Sequence, residues 1–251
     1  MGRIPPIMSE NKNLIRVSEL FGPTIQGEGA VIGQPTVFVR TGGCDFRCVW
    51  CDSLHAVDGE FRNQWTPMSS SQILDQVKTL TENQPIMITL SGGNPAIQPL
   101  GELIELGKSQ GFQFAMETQG SIAKDWFGSL DVLVLSPKPP SSEMTFDPEA
   151  LNTSIRVGRG AGQTVLKFVV FDDKDFVFAQ KVAAIHPDLP VYLQPGNHTP
   201  PPASEQHAAI DLEGINQRML WLIDKVNQTK WFSAWVLPQL HVMLWGNQRG
   251  V

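Results

Sequence analysis

Strand-like runs and helical periods take turns along most of this chain, and that alternation leaves few folds open. Residues 36–41 (TVFVRT), 86–90, 113–117, 132–135, 165–171, 191–194 and 235–237 are short and apolar, mostly β-branched or aromatic, and bounded by Gly, Pro or Ser. Between them, apolar residues recur at helical steps. Ile73, Leu74, Val77 and Leu80 follow serines 69–71, which are suited to cap a helix. Leu100, Leu103 and Ile104 form a second face, and Phe176, Ala179 and Ala183 a third. Leu212, Ile215, Met219, Leu222 and Val226 form the longest. Strands joined through helices must run parallel, so the chain is an α/β protein, either a barrel or a doubly wound sheet.

The positions of the polar motifs separate these two folds. TGGC follows TVFVRT, SGGNP follows IMITL, ETQG closes QFAME, SPKPP follows VLVL, QPGN closes VYLQ and PQLH follows WVL. Ligand-capable residues at so many strand ends favour a barrel-like sheet, whose site is built from the C-terminal ends of its strands. A doubly wound sheet gathers its ligands at one switch point. The proline-rich stretches 137–148 and 199–204 are too short for domain linkers, so residues 14–251 are expected to form one domain behind a loose tail at 1–13.

The 251 residues carry a formal charge of −6, from 19 Lys and Arg against 25 Asp and Glu. That balance argues against direct binding of nucleic acid, which needs clustered positive charge. The longest apolar runs, such as 165–171 with Lys167 inside it, are too short to cross a bilayer, and the N-terminus lacks the apolar stretch of a signal peptide. A cytoplasmic protein with no membrane partner is expected.

All three cysteines, Cys44, Cys48 and Cys51, fall in one short segment. An odd, clustered set does not make a disulfide framework and points to metal chemistry in a reducing compartment. Three thiolates can hold three irons of a 4Fe-4S cluster, leaving the fourth iron open to a small molecule. A Cys-Cys-Cys-His zinc site using His55 is the alternative, although zinc knuckles usually come in pairs.

The spacing C-x-x-x-C-x-x-C, with Trp50 before the last cysteine, resembles the radical S-adenosylmethionine superfamily. Residues 20–53 (LFGPTIQGEGAVIGQPTVFVRTGGCDFRCVWCDS), with SGGNP (91–95), ETQG (117–120), SPKPPSS (136–142), YLQ (192–194) and LPQLHVMLWGNQRGV (237–251), resemble the 7-carboxy-7-deazaguanine synthase family within it. The resemblance runs over nearly the whole chain from residue 14. It implies a partial, incomplete TIM-like β/α barrel of the radical SAM type, a 4Fe-4S cluster, S-adenosyl-L-methionine and Mg²⁺. It further implies conversion of 6-carboxy-5,6,7,8-tetrahydropterin to 7-carboxy-7-deazaguanine with loss of ammonia, on the route to queuosine and other deazapurines. A homodimer and an electron donor such as flavodoxin are implied as partners.

The resemblance also assigns residues. Cys44, Cys48 and Cys51 would carry the cluster. Trp50, Cys51, Asp52, Gly93, Asn94, Glu117, Ser136, Pro137, Lys138 and Gln194 would bind S-adenosylmethionine, Gln194 at the ribose and Glu117 alternatively at the substrate. Asn94 stands where the superfamily usually has Glu, and keeps a hydrogen-bonding amide without the charge. Ile25, Gln26, Gly27, Arg40, Ser91, Gln239, His241 and Val251 would meet the substrate, with Glu28 as a neighbour. Arg40 ends a strand, and its planar fork suits a carboxylate. Ser53 would ligate Mg²⁺ through its hydroxyl, although Asp52 and Ser53 would equally suit a helix cap. His55, His186, His198 and His207 are expected to be bystanders.

Two other functions share some of these features. An activase that installs a glycyl radical on a partner protein would share the cysteines but not Gln26, Arg40, Ser53 and the terminal motif. An iron–sulfur electron carrier would normally supply four protein ligands.

Overall fold

The computed structural model describes residues 13–202, 204–205 and 209–251. The tail expected at 1–13, apart from Asn13, and His207 lie outside the described residues. In chain order the elements are β1 (Ile15–Ile25), β2 (Pro35–Thr41), β3 (Thr66–Met68), α1 (Ser70–Leu80), β4 (Met87–Gly92), α2 (Gly101–Lys108), β5 (Gln113–Thr118), β6 (Val132–Leu135), α3 (Pro148–Gly158), β7 (Gln163–Val170), α4 (Asp173–Ile185), β8 (Val191–Pro195), α5 (Leu212–Thr229), β9 (Ala234–Val236) and α6 (Leu240–Trp245).

The strands form one nine-stranded sheet in the order β3-β1-β2-β4-β5-β6-β7-β8-β9. β1 pairs antiparallel with β2 and β3, and from β2 to β9 every pairing is parallel. Among the parallel strands, β2 and then β4 to β9, the order follows the chain without reversal, so that part of the sheet has no switch point. Right-handed crossovers then place the helices on one side of the sheet. The sheet curls without closing, which gives the partial barrel that the strand-end motifs favour.

Period-two alternation sorts the side chains between the two faces. Leu133, Leu135, Leu166, Phe168 and Val170 join the large core beneath the helices, together with Ile73, Leu74, Val77, Leu103, Phe176 and Leu222. Each fully buried side chain of this size contributes about 1.5–3 kcal/mol. The opposite, concave face carries a small cluster of Met87, Ala115, Val132, Val134 and Val165. Ala30 and Val31, from a short 3-10 turn at Gly29–Val31, pack into it.

Local signals fix the helix starts. Ser69 and Gln72 form a reciprocal capping box at α1. Asp147 caps α3, which has Pro148 at its first position. Asp172 accepts from the Lys174 and Asp175 amides at α4. Four elements fall outside the sequence reading: β1, β3, α3 and α6. β1 has two register breaks in its pairing with β2 and so lacks clean alternation. β3 is three residues long and contains Pro67. Among the described residues no helix is long and apolar enough to cross a membrane.

Candidate active site

The C-terminal strand ends open into one cavity of about 260 Å³. Its wall holds Ile25, Gln26, Gly27, Glu28, Arg40, Cys44, Cys48, Trp50, Cys51, Asp52, Ser53, Ser91, Gly93, Glu117, Lys138, Gln194, Gln239, His241 and Val251. Residues expected to bind a cluster, a cofactor and a substrate therefore meet in one place. Three expected residues are not on the wall: Asn94, Ser136 and Pro137.

The three thiols lie on the loop after β2. Burial raises the thiol pKa of all three, and Cys51, also next to Asp52, is pushed up to about 12. As free groups they are neutral thiols, and a metal must displace their protons. Among the described residues no three His, Cys, Asp or Glu side chains already converge on one metal-sized point. An iron–sulfur cluster does not require this, because its ligands bind separate irons. Three thiols facing one cavity, with the Phe46 amide 3.4 Å and the Gln119 amide 3.6 Å from the Cys44 sulfur, fit that group. The imidazole of His55, the fourth ligand of the zinc alternative, turns to Glu19 instead.

The loop is latched from the far side. The Val49 amide donates to the Ser142 carbonyl at 3.2 Å, and Trp50 Nε1 donates to Ser141 Oγ at 3.0 Å. The Ser141 and Phe171 amides both donate at 3.0 Å to Asp175, a fully buried carboxylate in the first turn of α4. Trp50 also lies 5.2 Å from the Phe171 ring, which in turn packs 5.1 Å from His198.

Asn94 works behind the wall. Its Oδ1 accepts from Thr118 Oγ1 at 2.7 Å and from the Ala96 amide at 3.1 Å, while its Nδ2 donates to Asp45 at 2.7 Å. Gln119 and Ser121 donate to the same Asp45 carboxylate. The Asn94 amide thus caps the turn Pro95–Ile97 and braces the cysteine loop. Ser136 is likewise buried and accepts from Lys138 Nζ at 3.2 Å, so of that triplet Lys138 alone reaches the cavity.

Arg40, at the end of β2, is anchored through Nε to Glu19 at 2.7 Å. One of its terminal nitrogens donates to Ser53 Oγ at 3.3 Å and to Ser91 Oγ at 3.4 Å. His55 Nε2 lies 3.2 Å from the same Glu19 carboxylate. Burial opposes the charge on Glu19, yet His55 and Arg40 together bring it down to about 2. His55 is buried in the cavity wall and is not the surface bystander that its sequence context suggests. Ser53 makes no side-chain cap to the turn that follows it, and its hydroxyl donates instead to Asp52 at 2.8 Å. It is therefore available on the cavity side.

Deeper in, Lys167 points from β7 to the concave face and is only 2% exposed. It donates to both oxygens of Glu117 at 2.8 Å and to Glu28. Glu28 also accepts from Gln194 at 3.0 Å and from Gln239 at 2.9 Å, with His241 Nε2 at 3.8 Å. Burial would neutralise both charges. Instead the lysine holds Glu28 well below the usual carboxylate range, and the two glutamates hold Lys167 above the usual lysine range. Gln194 and Gln239 thus sit together on Glu28 in the cavity wall. Sequence reasoning missed Lys167 as a site residue, although its alternation with Val165 and Val169 places it on the inner face.

A partial β/α barrel with three thiols on the loop after one strand, facing a cavity at the C-terminal strand ends, is the architecture of a radical S-adenosylmethionine enzyme. The family described as the Radical SAM superfamily matches residues 38–135. Two relatives named 7-carboxy-7-deazaguanine synthase, from Bacillus cereus and Bacillus subtilis (strain 168), are each 43% identical to this chain. The first aligns over 94% of this chain and 99% of its own length, the second over 94% and 98%. The crystal structure of QueE from Escherichia coli shares the fold, with a TM-score of 0.67 at 22% identity, covering 91% of this chain and 95% of that one. The chain belongs to the 7-carboxy-7-deazaguanine synthase family. Membership implies a 4Fe-4S cluster and S-adenosylmethionine as cofactors.

Proposed function

We propose that the protein converts 6-carboxy-5,6,7,8-tetrahydropterin to 7-carboxy-7-deazaguanine with release of ammonia. The observation that carries this reading is the single cavity, with the three thiols on one side and Arg40, Ser91 and the Glu28 cluster on the other. The relatives' name supplies the product. The bound cluster and S-adenosylmethionine would supply one electron and a 5′-deoxyadenosyl radical to start the reaction.

The chain's own residues bind and orient. Cys44, Cys48 and Cys51 hold the cluster, and Trp50, Asp52, Gly93 and Lys138 line the cofactor side. Arg40, fixed through Nε by Glu19, directs its remaining N–H groups at the substrate carboxylate. Ile25, Gln26, Gly27, Ser91, Gln239, His241 and Val251 complete the substrate side, with Glu28, Glu117 and Gln194 at its base. Ser53 offers one hydroxyl to Mg²⁺, and substrate oxygens and water would supply the rest. Residues 14–251 act as one domain, in keeping with the single sheet. We further propose a cytoplasmic homodimer reduced by a flavodoxin-like donor.

The test is anaerobic turnover of the reconstituted protein with 6-carboxytetrahydropterin, S-adenosylmethionine and a reductant, with mass analysis of the product. A product lighter by ammonia and carrying the deazapurine chromophore is expected. Cleavage of S-adenosylmethionine with the pterin left intact would overturn the assignment.

A further inference from the structure

The residue just past β5 reaches back to the cysteine loop. Gln119 is 7% exposed, and its Nε2 lies 2.7 Å from Asp45 Oδ1 and 3.6 Å from Cys44 Sγ. A side-chain amide carries two N–H donors at one end and a carbonyl at the other. The neighbouring residues fix which end faces the loop. Asn94 Oδ1 accepts from the Ala96 amide and from Thr118 Oγ1, so its Nδ2 is the end turned to Asp45 Oδ1, at 2.7 Å. Asp45 Oδ1 is therefore an acceptor, and the NH₂ of Gln119 faces it as a second donor. Ser121 Oγ donates to the other oxygen at 2.6 Å. With one N–H given to Asp45, Gln119 gives the second to the sulfur of Cys44. The Phe46 amide, 3.4 Å from the same sulfur, belongs to the loop's own backbone and would be there whatever the side chain. Gln119 is a donor brought from another strand end by the fold.

From this geometry we infer that Gln119 acts through Cys44 to make the cluster easier to reduce, with Asn94 and Asp45 holding its amide in the donating orientation. Hydrogen bonds to the sulfurs are among the levers that set a cluster's reduction potential. Reduction adds one electron and leaves the thiolate sulfur more negative, hence a better acceptor. The N–H bond strengthens in the reduced form and favours it, as hydrogen bonds to charged acceptors are the stronger ones. The electron comes from an external one-electron donor. Gln119 itself transfers no proton and forms no covalent bond. The inference needs the cluster that family membership implies, and not the identity of the substrate.

The experiment is an EPR-monitored redox titration of the reconstituted full chain, run without S-adenosylmethionine so that the electron stays on the cluster. Gln119→Met keeps an unbranched side chain of similar length and removes both donors. At a fixed solution potential its ratio of reduced to oxidised cluster should fall about tenfold, equal to a midpoint about 59 mV more negative for a one-electron couple. Ser121→Ala is the control: it takes a donor from Asp45 and none from Cys44, so its midpoint should stay at the wild-type value. A merely structural glutamine would change the iron content and leave the midpoint of the loaded cluster where it was. An unchanged or less negative midpoint in Gln119→Met overturns the inference. An equal shift in Ser121→Ala also overturns it, since the cause would then be Asp45. If Gln119→Met holds no cluster, the wild-type protein decides. Labelled with ¹⁵N at glutamine side chains alone, its reduced cluster should show a ¹⁵N coupling in pulsed EPR, and absence of that coupling overturns the inference.

Discussion

Gly93→Ala would test whether the cysteine loop is held by direct backbone packing. A Cβ at residue 93 would lie 2.3 Å from the Gly43 carbonyl oxygen, 2.7 Å from its carbon and 2.9 Å from Cys44 Cβ. The closest approach is about 1 Å short of ordinary van der Waals contact. Two of the three atoms are backbone and cannot rotate away. The Gly43 carbonyl also accepts from the Asn94 amide at 2.8 Å, so moving it strains that bond. Overpacking of this kind costs about 2 kcal/mol. For a chain of this size that lowers Tm by roughly 4–8 °C. Because the displaced residues are the root of the cluster loop, iron content after anaerobic reconstitution should fall well below that of wild type. Gly59→Ala, with nothing within 4 Å of the new methyl group, is the control. Tm is read on the cluster-free protein and iron per chain on the reconstituted one. If Gly93→Ala matched Gly59→Ala in both, the close-packing argument would be wrong.

Other outcomes follow from the same site. Cys44→Ala, Cys48→Ala and Cys51→Ala should each abolish turnover, since one iron loses its only protein ligand; iron analysis with activity checks this. Arg40→Lys should raise the substrate KM about tenfold or more while S-adenosylmethionine affinity changes little, because an ammonium cannot bridge Glu19 and a second carboxylate with a fixed fork. Ser53→Ala should flatten the dependence of turnover on Mg²⁺ and leave the cluster spectrum intact, whereas identical Mg²⁺ titrations would remove Ser53 from the metal site. Glu19 is lowered from its ordinary 4.5 to about 2, so its stabilising charge is fully present above about pH 4.5 and is lost as pH falls toward 2. Glu19→Gln should therefore unfold at lower urea concentration than wild type at pH 7, with the gap narrowing by pH 3. A gap independent of pH would contradict the pairing.

The strand-end motifs were legible because a barrel places its ligands at the C-terminal ends, and each motif follows a run of recognisable strand composition. α1, α2, α4 and α5 were equally visible from their apolar faces. α3 was hidden behind Pro148, which reads as a loop residue although it occupies the first turn of a helix. α6 has six residues, too few to show a period. In the site, residue types told more than their partners did. The sequence shows an asparagine at 94, but not that Thr118 and Asp45 occupy its side chain. It shows Lys167 inside an apolar strand, but the glutamates that justify its burial come from residues 28 and 117, far away in the chain.

Gln239 donates to Glu28, and the Leu240 amide donates to the Gly27 carbonyl at 2.9 Å. The last stretch of the described chain thus closes over the first. All the parallel strand pairs are already available once β9 has emerged, but the base of the cavity lacks a wall until residues 239–241 arrive. Assembly of the scaffold and completion of the pocket are separate events during synthesis. A nascent or clipped chain ending before Gln239 would carry the cysteine loop and the sheet, yet would have no finished seat for a second molecule beside the cofactor. Binding of that second molecule therefore waits on the residues of the chain that are made last.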